Sequence, residues 1–89
     1  MHTNLKILTH LNSSNLHLKL MGEFDQKSAK QLMDLLWHYC RSVSTIIIHT
    51  DCLKPLIPFD VKGFRQEFER LKQEPVRFIF TGENASLLC

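Results

Sequence analysis

The stretch LHLKLMG, residues 16 to 22, alternates apolar and polar side chains, and directly after Gly22 the apolar period changes from two to between three and four. A strand must therefore hand over to a helix within about one turn of chain. In the strand, Leu16, Leu18 and Leu20 share one face and His17 and Lys19 the other, the pattern of a half-buried strand. Beyond it, Ala29, Leu32, Met33, Leu36 and Cys40 recur at helical spacing and define a core-facing stripe. Asp25 stands where an N-cap belongs. Trp37 sits beside the stripe and covers its edge.

The other elements follow from the same two periods. LKILTH (5–10) alternates weakly, and the turn signal SSN (13–15) joins it to the next strand as a hairpin. STIIIHT (44–50) is a β-branched run without polar alternation, as expected of a central strand covered on both faces. Asp60 opens a second helix in which Val61, Phe64, Phe68 and Leu71 repeat at three and four, and Pro75 ends it. VRFIFTG (76–82) is a further strand, and ENASLLC (83–89) begins a third helix. The expected fold class is α/β, with the order β-β-α-β-α-β-α and a mixed four-stranded sheet with crossover helices. Strands joined through helices run parallel, so only the first is antiparallel.

Eighty-nine residues make a single domain, 1–89, with one core. Lys and Arg exceed Asp and Glu by only two, and no run concentrates the excess, so a nucleic-acid partner is not expected. No apolar stretch reaches the length of a membrane span, and the first ten residues do not read as a signal peptide. The expected compartment is the cytoplasm. Cys40, Cys52 and Cys89 are an odd number without a CxxC pair, which argues for reduced thiols rather than a disulfide framework. No metal or other cofactor is expected. His38 and Cys40, two apart on a helix, point apart, and His49 with Cys52 supplies two ligands where a closed zinc site needs four.

GEFD (22–25) closing a strand, the apolar strand TIIIHT, Asp60-Val61-Lys62-Gly63-Phe64 opening a helix, and VRFIFTG resemble, in this order and spacing, a STAS domain. That family includes bacterial anti-sigma-factor antagonists, stressosome subunits and the cytoplasmic tails of sulfate transporters. Its motif usually reads Asp-Ser-Ser-Gly or Asp-Thr-Ser-Gly, the first hydroxyl being phosphorylated. Aligning Asp60 and Gly63 with that motif puts Val61 at the phosphoacceptor position, and nothing from Asp51 to Phe80 carries a hydroxyl instead. The resemblance thus implies a degenerate, non-phosphorylatable member. The Asp common at the end of the family's third strand is matched by His49 or shifted to Asp51, and the loop DCLKPLIP (51–58) is longer than usual. The family's last strand and helix have no counterpart in the sequence. A regulatory partner or a second copy, as a homodimer, would then cover the edge left open.

Catalysis requires a nucleophile or an acid/base pair within hydrogen-bond reach. Asp25 and Asp60, both at helix starts, would raise one another's pKa if close, but each also reads as a plain N-cap. Cys52 with His49 lacks a third group to orient the base. The chain is therefore not expected to be an enzyme. Weak purine-nucleotide binding, with Lys62 supplying charge at a helix start, is one alternative, and an accessory subunit of a transporter or enzyme is another. The leading expectation is a protein-interaction module. Its partner, such as an anti-sigma-factor kinase, would dock on Glu23, Asp25, Asp60, Val61, Lys62, Arg65 and Glu69.

Overall fold

The computed structural model describes residues 5–54, 62–83 and 85. The elements, in chain order, are β1 (Leu5–Asn12), β2 (Asn15–Gly22), α1 (Gln26–Tyr39), β3 (Thr45–Leu53), α2 (Lys62–Leu71) and β4 (Arg77–Thr81). They form one sheet in the order β1-β2-β3-β4. β1 and β2 are the expected antiparallel hairpin, with Asn12 opposite Asn15. Ser13 takes a positive φ of 57° in the two-residue turn, a conformation that tight hairpin loops demand. β3 runs parallel to β2, and β4 parallel to β3.

Both helices cover the same face of the sheet. Leu16, Leu18 and Leu20 of β2 and Ile46 and Ile48 of β3 meet Leu32 and Leu36 of α1 and Phe64, Phe68 and Leu71 of α2 in one core. The stripe read from α1 is buried throughout, Ala29, Leu32, Met33, Leu36 and Cys40 included. Trp37 is half-exposed at its edge, and its Nε1 donates to Glu67 Oε2 at 2.9 Å, which ties the two helices together. At their far ends Arg41 Nε and Glu74 Oε1 pair at 2.7 Å.

The coverage of β3 differs from expectation. Ile46, Ile48 and Thr50 are buried, but Thr45, Ile47 and His49 between them are only half-buried, because no described element covers the second face. α2 also ends earlier than Pro75 would impose. Its last helical residue is Leu71, after which Gln73 N bonds to Arg70 O and Glu74 N to Leu71 O, tightening the chain out of α geometry. Asp60 and Val61 lie outside the described residues, and so does most of the expected helix at 83–89.

Candidate functional site at the carboxyl end of the sheet

β2, β3 and β4 are mutually parallel, so their carboxyl ends share one edge of the sheet, where α1 begins and where the described part of α2 begins. Only Glu23, Phe24 and Asp25 separate β2 from α1. Phe24 is fully buried and meets Phe64 edge-on, with ring centroids 6.1 Å apart, which clamps the two helix starts side by side. Between the helices lies an open groove of about 510 Å³. Its buried members are Ala29, Met33 and Phe64, and Gln26, Lys30, Asp34, Gly63 and Glu67 form its polar rim.

Asp25 is the N-cap of α1. Its Oδ1 accepts from Ser28 N at 2.8 Å and from Ser28 Oγ at 2.9 Å, and the same hydroxyl lies 3.2 Å from Glu23 O. These donors, the Ser28 backbone N–H foremost, hold the Asp25 carboxyl below its ordinary value of 3.8. The direction is opposite to that of two carboxylates raising one another. The Asp25 carboxylate is committed to the helix end and offers no acid for proton transfer. Because its folded pKa is depressed, its contribution to stability is present above the unfolded value and disappears as the pH falls through the folded one. Asp25→Ala should therefore melt several degrees below the parent near neutrality, with the gap closing in acid. Thermal melts across pH 2 to 7 check this, and a gap independent of pH contradicts the assignment.

Of the other expected site residues, Glu23 is half-buried beside Asp25, and Lys62 is exposed at the start of α2. Arg65 and Glu69 are exposed as well, each two residues on from the groove-lining Gly63 and Glu67, so helical geometry turns them to the opposite flank. Glu69 Oε2 there accepts from Lys72 Nζ at 2.9 Å. Lys62, Arg65 and Glu69, at i, i+3 and i+7, share that flank of α2, Glu23 and Asp25 stand at the start of α1, and Asp60 and Val61 fall outside the described residues. Sequence reasoning missed the groove itself. The one available signal was Gly63 followed by Glu67 at helical spacing, a small residue and a polar one on the flank that turns to α1.

The two described thiols stand in different surroundings. Cys40 is buried, its Sγ 3.3 Å from Trp37 O, and burial together with Glu74 pushes its pKa up. Cys52 is exposed, while the two ring nitrogens of His49 are taken up by His17 and Thr81. Among the described residues, no three His, Cys, Asp or Glu side chains converge as metal ligands. No described helix is long and apolar enough to cross a membrane.

A mixed sheet with two crossover helices on one face, and both helix starts gathered at the carboxyl ends of the parallel strands, defines the STAS fold. Solved structures show the same arrangement. The chain superposes on an antisigma-factor antagonist STAS domain from Rhodobacter sphaeroides with a TM-score of 0.68 at 11% identity, covering 91% of this chain and 89% of that one. For an anti-sigma factor antagonist from Mycobacterium paratuberculosis the TM-score is 0.64 at 16% identity, with 93% and 72% covered. It also matches Mglu, with a TM-score of 0.69 at 15% identity over 82% of this chain, but spans only 18% of that longer protein. No protein-family model and no curated protein matches the sequence.

Proposed function

We propose that this chain is a non-catalytic interaction module that holds a regulatory protein, such as an anti-sigma-factor kinase, at the corner where α1 and α2 begin, and does so in the cytoplasm without phosphorylation control. The observation that carries the reading is the corner's chemistry. The Asp25 carboxylate is spent on capping, the groove beside it is open, and the segment from Asp51 to Phe80 has no hydroxyl to accept phosphate. Such a surface can bind, but it has neither a nucleophile nor a switch. A phosphate at this corner would bring about −1.5 to −2 charges, and a valine at position 61 cannot receive it.

The test puts a negative charge there by mutation. Lys62 is exposed in the first turn of α2, where an acidic side chain is tolerated by the helix dipole, so Lys62→Glu should leave the fold intact. Binding to an anti-sigma-factor kinase, measured by titration calorimetry, is expected to weaken by roughly 1–3 kcal/mol. Unchanged affinity with an unchanged melting temperature would place the partner elsewhere. A second reading, an accessory domain within a larger assembly, is favoured by the match to a small part of Mglu. On that reading the isolated chain has no affinity for such a kinase.

A further inference from the structure

The face of the sheet that no described helix covers is not an ordinary solvated surface. Register and alternation place Lys6, Leu8 and His10 of β1, His17 and Lys19 of β2, Ile47 and His49 of β3 and Arg77, Ile79 and Thr81 of β4 together on it. Three of the chain's five histidines are here. A register shift between Lys19 and Met21 pairs Met21 with Cys52, which brings the end of β3 onto the same face. There Lys19, His49, Asp51 and Cys52 line a shallow hollow of about 400 Å³. Lys6, Lys19 and Arg77 against Asp51 leave the face two positive charges in excess, as many as the whole chain carries. Leu8 and Ile79 stand 43% and 39% exposed among these charges.

The histidines form a connected row. His17 Nδ1 lies 3.1 Å from His49 Nε2, and His49 Nδ1 lies 2.9 Å from Thr81 Oγ1. The His17 and His49 rings are parallel within 6°, with centroids 5.4 Å apart. That separation equals the nitrogen gap plus the two ring radii, so the rings are coplanar and joined edge to edge by an N–H···N bond. His10 adjoins the row, its ring centroid 6.3 Å from that of His17.

We propose that this open face is a second docking surface, for an acidic protein segment carrying scattered aliphatic side chains. Charge complementarity selects the acidic character, and Leu8, Ile47 and Ile79 supply the apolar contacts between the cations. Among the described residues this flat sheet face has no protruding apolar loop or helix to enter a bilayer. Nor does it carry a Phe, Tyr or Trp among its described residues on which bases would stack. The surface is distinct from the helix corner and does not depend on it.

The experiment uses a fluorescein-labelled glutamate-rich peptide with scattered leucines, followed by anisotropy against the whole chain at neutral pH, where glutamate is ionised, at low and at raised salt. The expected result is saturable binding that weakens as salt is raised. Lys19→Glu, or Arg77→Glu should the first fail to fold, is expected to weaken it about tenfold or more. Lys62→Glu is expected to leave the peptide affinity unchanged. Absence of binding, equal affinity in folded Lys19→Glu and Arg77→Glu, or preference for single-stranded RNA or phosphatidylserine vesicles overturns the proposal.

Discussion

Replacing Phe68 with alanine is expected to lower the stability of the chain by about 3–5 kcal/mol, the range for deleting a buried aromatic ring. Phe68 is 2% exposed and is the hub of the aromatic contacts beneath α2. Its ring lies 5.0 Å from that of Phe78, 5.3 Å from Phe80 and 6.2 Å from Phe64. Lys72 also lies over the ring, Nζ 5.3 Å from its centroid, and loses that contact. Native domains hold only about 5–15 kcal/mol in total, so the variant should lose a large share of its stability. Urea denaturation followed by circular dichroism measures the loss. A value near 1 kcal/mol would mean that the aromatic cluster is not the seam joining α2 to β4.

Gly82→Ala should be the next most costly change, at about 1–3 kcal/mol from the backbone alone. Gly82 has a φ of +101°, a conformation L side chains rarely adopt. An added Cβ would also strike the Asp51 carboxylate, and would lie 2.6 Å from Thr50 Oγ1 and 2.8 Å from the Asp51 backbone nitrogen. Thr50 cannot retreat. It is fully buried, and its hydroxyl donates to Thr81 O at 2.6 Å, latching the end of β3 to the end of β4. Gly63→Ala is the matched control. A Cβ there meets nothing within 4 Å, and alanine is the better helix former, so it should hold or slightly raise stability. Parallel melts of the two variants check both arms, and equal losses would refute the steric account.

This pair of glycines also shows how far the sequence could be read. Gly63 is the motif position, yet the fold leaves room for a side chain there; Gly82 closes an unremarkable strand and is sterically required. The hairpin and α1 were legible because the apolar period changes sharply at Gly22 and a cap falls on the boundary. The half-exposure of β3 was not, since three consecutive isoleucines look the same whether one face of a strand is covered or both. The row from His17 through His49 to Thr81 was hidden for another reason. Which residues of parallel strands stand side by side depends on the path of each crossover, and no local pattern records it. Asp25 was legible as a cap, but the groove beside it needed α1 and α2 to be placed against each other first.

The sheet order β1-β2-β3-β4 is also the chain order. Every strand therefore joins the edge left by the strand made just before it, and no segment has to be threaded between two strands already paired. After the hairpin, β3 and β4 each arrive through one crossover, residues 23–44 and 54–76, 22 and 23 residues long. Each such closure costs about 3 kcal/mol in chain entropy, since the cost rises only as the logarithm of loop length. A chain emerging from a ribosome could then assemble in one direction, with each closure stabilised by side chains already synthesised. Moving β4 to the front of the sequence would keep every contact of the finished sheet but remove that directional order of assembly.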